Sequence, residues 1–316
     1  MASEGNGKTK TGTSKSTVHV TKSRGTGGGK VSRDREAKIQ KFFEKVLARI
    51  DALRTERDPD YGARLIERIL PHFPFAPELY YALGCCEMDY GGFTSALRAF
   101  SAATLFDPEN PDIRLGIANA FLLLDWPERA VEIVKEILKA DPKHFGAHLL
   151  YGQYHEERGE WNRSLAEYRL IEDQETNPSY PHLVSRLGVC FLNIEKPMRA
   201  LEYFEEALRL MPTDVETLFQ RGICYGAVNE FDKALSDFEV VIQSDPLDAE
   251  ALAYAALYQF YLGQKPQAVA RIEKALELHS ENELIMDIRE EIFNSEPPEA
   301  QPSMSEDEDE DGDEEE

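Results

Sequence analysis

The side chains most able to do chemistry here are histidines, cysteines and a surplus of carboxylates. His144 and His148 lie four residues apart and His155 seven further on, intervals that put imidazoles on one helical face, where they could hold a transition metal. Cys85, Cys86, Cys190 and Cys224 show no paired-ligand spacing, which weakens a zinc or disulfide reading and suits a reducing compartment. Gly27-Gly28-Gly29-Lys30 has the look of a phosphate loop, but the Gly-Lys-Ser/Thr spacing fails and no strand precedes it. The 59 Asp and Glu residues supply carboxylate pairs throughout, none set against a Ser/His partner. These residues single out no catalytic group, metal site or cofactor, and the chain reads as a non-enzyme.

Charge is spread unevenly over the 316 residues. The total is 35 − 59 = −24, which argues against a nucleic-acid binder with a broad basic face. Residues 1–32 hold six Lys/Arg and one Glu, hence +5, with many Gly, Ser and Thr and almost nothing apolar. Residues 295–316 hold twelve Asp/Glu, hence −12. Both segments are expected to be disordered, since neither can bury enough apolar surface to offset its ordering entropy. Residues 33–294 keep −24 − 5 + 12 = −17 and are the expected folded domain. No apolar run reaches the ~18 residues that a membrane span needs. The first residues lack the apolar core of a secretory signal, so a cytoplasmic location is expected.

A period of 34 residues organises the middle of the chain. Asp-Pro recurs at Asp107-Pro108, Asp141-Pro142 and Asp245-Pro246, with Met211-Pro212 in the same role; successive prolines are 34, 70 and 34 apart. Counting each Pro as position 32, a small residue stands at position 8 in Gly84, Ala118, Gly188 and Gly222. Another stands at position 20 in Ala96, Ala130, Ala200 and Ala234, and a bulky one at position 24 in Phe100, Val134, Phe204 and Phe238. Two further units follow less strictly over about 145–178 and 249–282, the first with Ser164 in place of Ala and Asn177-Pro178 as a displaced stop. Gly62, Ile66, Ile69 and Pro74 mark a degenerate unit over 41–74, and the helical spacing in 283–294 predicts a capping helix.

The stretch Tyr80-x2-Leu83-Gly84, Ala96-x3-Phe100-x2-Ala103, Pro108 resembles the tetratricopeptide repeat, and the resemblance covers roughly 250 residues. It implies an all-α, right-handed superhelical solenoid of about seven helix-turn-helix repeats, in which helix A of each unit lines a concave face. Small residues at positions 8 and 20 are required where the helices of one hairpin cross closely, and bulky ones at 4, 11 and 24 fill the space beside the crossing. In that frame His148 and His155 occupy packing positions 4 and 11, and Cys86, Cys190 and Cys224 share the apolar position 10, so core roles outweigh metal and redox roles.

The family's groove-facing positions select Tyr81, Cys85 and Met88 from the first clear unit, and Leu115, Asn119 and Leu122 from the second. The later units supply Leu149 and Gln153, then Val189, Phe219 and Ile223, and finally Phe260. Most are apolar although packing within a repeat does not need them, which reads as a groove for a partner peptide or helix. The lysines and asparagine with which some family members clamp chaperone carboxylates are absent, since the corresponding places hold Tyr81 and Cys85. Residues 79–134 also resemble class II chaperones of type III secretion systems, which implies a translocator segment as client; those chaperones have about three repeats and lack two charged tails. The function expected is a protein-interaction scaffold or chaperone, the alternative being an acidic-tail chaperone of basic proteins such as histones or ribosomal proteins. No small-molecule substrate is expected, and the oligomeric state stays open to a homo-oligomer.

Overall fold

The computed structural model describes residues 33–55, 58–172 and 181–296; both charged tails and the Asn177-Pro178 stop lie outside these. The described residues form fifteen α-helices and one 3-10 turn, with no strand among them. The first hairpin is α1 (Arg33–Thr55) and α2 (Pro59–Ile69), followed by the 3-10 turn Leu70–His72. Then come α3 (Pro77–Asp89) with α4 (Phe93–Thr104), α5 (Pro111–Leu123) with α6 (Pro127–Ala140), and α7 (Phe145–Glu157) with α8 (Trp161–Glu172). The series continues with α9 (Pro181–Asn193) and α10 (Pro197–Leu210), α11 (Val215–Ala227) and α12 (Phe231–Ser244), and α13 (Ala249–Tyr261) and α14 (Lys265–Leu278). It ends on α15 (Glu283–Asn294), the expected cap. Two compact units divide within α7, between Leu150 and Tyr151.

Local chemistry explains the boundaries. Pro opens α2, α3, α5, α6, α9 and α10 at N1, where its missing N–H costs no hydrogen bond. Side-chain oxygens of Asp58, Asn110, Asp214, Asp248 and Asn282 accept from backbone N–H groups in the first turns of α2, α5, α11, α13 and α15. Between the two helices of a hairpin, position 15 takes a left-handed conformation in all six complete repeats. It is Gly91, Gly159 and Gly263 in three, at φ of 83°, 67° and 75°, and Asp125, Glu195 and Asn229 in the others, at 61°, 60° and 63°. The turn is a Schellman motif: the Lys196 N–H donates to Phe191 C=O at 2.9 Å and the Glu195 N–H to Leu192 C=O at 3.0 Å.

The crossing inside each hairpin follows volume complementarity between positions 8 and 24. A Cβ on Gly84 would lie 2.5 Å from the Phe100 ring, on Gly152 2.2 Å from Tyr168, on Gly188 2.7 Å from Phe204 and on Gly222 2.7 Å from Phe238. Where position 8 is Ala118 or Ala256, position 24 shrinks to Val134 or Ile272. All these partners are buried. Position 20 is buried in every complete repeat, including Ser164, whose hydroxyl accepts the Cys190 thiol at 3.4 Å and so costs little. The first hairpin departs from the 34-residue frame, since α1 runs 23 residues and begins at Arg33 rather than at 41. Gly62 of α2 nevertheless keeps the small-residue role, its absent Cβ lying 3.1 Å from Cys86 Sγ.

Candidate partner-binding face

In the first unit the odd-numbered helices α3 and α5 and the start of α7 present the selected residues. Tyr81, Cys85, Met88, Leu115, Asn119, Leu122 and Leu149 are each half-buried. Tyr81 leans on Phe100 with ring centroids 5.7 Å apart, and Leu115 lies over Gly146, where an added Cβ would come within 2.5 Å of its Cδ2. Tyr81 and Leu115 are therefore fixed from below while keeping an open side. Burial raises the Tyr81 hydroxyl pKa, and the charges of Cys85 and Asp112 add to the shift. Burial likewise pushes the Cys85 thiol up to about 11 against the opposing pull of Arg54, so it is not a reactive thiolate at neutral pH. Arg54 of α1 donates to both carboxylate oxygens of Asp89 at the end of α3.

In the second unit Gln153, Val189, Phe219 and Ile223 are half-buried. The Phe219 ring packs edge-on against Phe238 at 5.2 Å and Tyr254 at 5.7 Å. Phe260 differs: it is 1% exposed and belongs to the cluster that α15 closes with Ile285, Ile288 and Ile292. The capping helix covers this side chain, so Phe260 offers no surface while α15 is docked. Polar groups thread the same helices. Arg186 of α9 forms an ion pair with Glu156 of α7, and the Thr217 hydroxyl of α11 donates to Ser185 Oγ of α9 at 2.9 Å. Burial holds the Glu156 carboxyl above its usual range in spite of Arg186. A cleft of about 600 Å³ lies between the α7–α8 and α9–α10 turns, lined by Trp161, Arg163, Asn193 and Glu195 among others.

The histidines are spread over separate local bonds. His144 Nδ1 accepts from the Ala147 N–H at 3.2 Å, buried His148 has Nε2 3.0 Å from Pro142 C=O, and buried His155 has Nδ1 2.7 Å from Glu160 Oε2. Among the described residues, no three His, Cys, Asp or Glu groups converge as a metal site. Cys86, Cys190 and Cys224 are fully buried, with thiols pushed up to about 12, 12 and 11 by burial. No helix among the described residues is long and apolar enough to cross a membrane.

Two features escaped the groove-position rule. Glu78, at position 2 of α3, has a buried Oε2 with no hydrogen-bond partner. Around Phe106, the exposed Phe75 and the half-buried Tyr80 form a ring cluster, with centroids 5.8 and 5.7 Å from that of Phe106. The offset of Glu78 from Tyr81 was visible in the sequence, but the failure of its oxygen to find a donor was not.

A tetratricopeptide-repeat family model matches residues 81–143 and 125–181. BBSome complex member BBS4 of Bos taurus is 25% identical over 140 residues, 44% of this chain and 27% of that protein. Type IV pilus assembly protein PilF of Pseudomonas aeruginosa is 28% identical over 137 residues, 43% of this chain and 54% of that one. The chain thus spans about a quarter and about half of the lengths of these two relatives. Among solved structures, the APC/C hetero-tetramer Cut9–Hcn1 superposes with a TM-score of 0.69 at 16% identity, covering 77% of this chain and 48% of that one. The Pseudomonas aeruginosa PilF structure gives 0.61 at 19% identity, covering 68% and 97%. The chain carries tetratricopeptide repeats, matched in sequence across residues 81–181 and accompanied by the fold of tetratricopeptide-repeat proteins over most of its length.

Proposed function

We propose that this chain is a non-enzymatic scaffold or chaperone that grips an apolar segment of a partner protein on the faces of its odd-numbered helices. The observation that carries this reading is the half-burial of large apolar side chains at positions 5, 9 and 12. Tyr81, Met88, Leu115 and Leu122 in the first unit, and Val189, Phe219 and Ile223 in the second, are held by packing yet leave surface open. Covering such surface on binding contributes roughly 25 cal/mol per Å² before association costs. The relatives' names describe members of multi-protein assemblies, which is in keeping with this role. A narrower form, a chaperone that shields an apolar segment of a secreted translocator, rests on the resemblance of residues 79–134 to class II secretion chaperones.

The test is a pair of charge substitutions on the open face, Leu115→Glu and Leu122→Glu. Co-purification from the native cell first identifies the partner, and a pull-down then compares variant with wild type. Capture of that partner should fall at least about tenfold, the effect of losing ~1.4 kcal/mol of binding, with helical circular dichroism unchanged. Retained capture by a folded variant rejects the reading.

A further inference from the structure

The charge of the odd-numbered helices is arranged by side-chain pairing. Across α3, α5, α7, α9, α11 and α13 the only Lys or Arg residues are Arg114, Arg186 and Arg221. Each is bound to a carboxylate: Arg114 to Glu136, Arg186 to Glu156, and Arg221 to Asp237 at 2.6 Å. No unneutralised cation therefore remains on these helices, whereas α3 and α5 alone carry Glu78, Glu87 and Asp112 besides the Asp89 that Arg54 already binds. Glu78 and Asp112 both sit at position 2, three residues before Tyr81 and Leu115, and so share the face of those apolar side chains. Helices α3 and α5 pack against each other, so these two carboxylates and the apolar side chains beside them lie on adjoining helices. Asp112 is exposed there, and Glu78 keeps one buried oxygen without a donor. An unpartnered buried carboxylate oxygen is costly and calls for a donor. The face asks for a ligand with apolar groups followed by cations.

Residues 17–24 of the same chain, Thr-Val-His-Val-Thr-Lys-Ser-Arg, meet that demand. In an extended chain alternate residues share an edge, so Val18, Val20, Lys22 and Arg24 line up as two apolar groups and then two cations. They are the centre of the +5 segment 1–32, and the eight residues between Arg24 and α1 can bridge up to about 30 Å. We propose that the segment Val18–Arg24 docks in cis on the α3–α5 face, with its valines against Leu115 and Leu122 and its cations on Glu78 and Asp112. The inference rests on the proposed groove function and adds an occupant to it.

Zero-length carbodiimide coupling of the full chain tests this, since it joins a lysine amine only to a carboxylate already in contact with it. The expected product, read by peptide mass spectrometry on the monomer fraction, links Lys22 to Glu78 or Asp112. Its yield should drop at least about fivefold in ~0.5 M NaCl, where exposed ion pairs are screened. It should drop comparably in the arm variant Val18→Asp/Val20→Asp, which alters no residue of the repeats. Three results overturn the proposal: no such link, links to Glu128, Glu132 and Glu136 in similar yield, or a link confined to a covalent dimer, which would make a second copy the occupant. If the link is missing while Leu115→Glu and Leu122→Glu still abolish partner capture, the groove reading stands and only the arm's role falls.

Discussion

Glu195 is the residue at which local strain is most visible. It holds φ of 60° at the one turn position where three of the six repeats use glycine. Left-handed backbone costs an ordinary L-residue about 1 kcal/mol, and Asn less because its side chain tolerates that region. Glu195→Gly should therefore raise stability by about 0.5–1 kcal/mol, partly offset by the greater freedom of glycine in the unfolded chain. Asn229→Gly should gain less. Urea midpoints at constant slope measure both, and equal or reversed effects would place the cost of this turn elsewhere. The opposite sensitivity holds at position 8. There the missing Cβ of Gly188 leaves room for the Phe204 ring, and the sequence alone carried that information through the pairing of Gly with aromatic and Ala with branched partners.

At the scale of the element, α15 does two things that its amphipathic pattern announces only in part. Asn282 caps it by accepting from the Ile285 N–H, and Ile285, Ile288 and Ile292 seal the apolar face of α13 and α14. That sealing removes Phe260 from the set of open side chains, although Phe260 occupies the same repeat position as Met88 and Leu122. Replacing Ile288 and Ile292 by Ala should cost about 2–5 kcal/mol each in the docking of this helix. The expected readout is faster amide exchange in α13–α15 and increased binding of an apolar dye, with α9 and α10 protected as before, because each repeat relies on its neighbours alone. Uniform loss of protection would show that the repeats unfold as one body. Helix positions were legible in the sequence because Pro at N1, Asx caps and the small-residue period act within one hairpin. Which bulky residue stays open was not, because that depends on the element stacked above it.

Across the whole molecule, the excess of negative charge sets how stability responds to solvent. Residues 33–294 carry −17, and several of the ion pairs are local and exposed, such as Asp60–Arg64, Glu206–Arg209 and Glu230–Lys233. Pairs of that kind contribute little, while net self-repulsion opposes the compact state. Raising NaCl from about 10 to about 200 mM shortens the Debye length from ~30 Å to under 10 Å and should stabilise the protein, with the melting temperature rising by a few degrees. A fall on adding salt would mean that the half-buried pairs Arg186–Glu156 and Arg221–Asp237 outweigh the repulsion.

The 34-residue period by itself determined that the chain folds as helical hairpins, where the helices of the six complete repeats start, and which residues meet at their crossings. All of these depend on contacts a few to about twenty residues apart, and such contacts leave a periodic trace. Only the tertiary structure decided that Phe219 stays half open while Phe260 is closed, that every arginine of the odd-numbered helices from α3 to α13 is already neutralised, and that Glu78 lacks a donor. Exposure and pairing belong to the side chains that neighbouring elements bring together, and a one-dimensional pattern does not record those meetings.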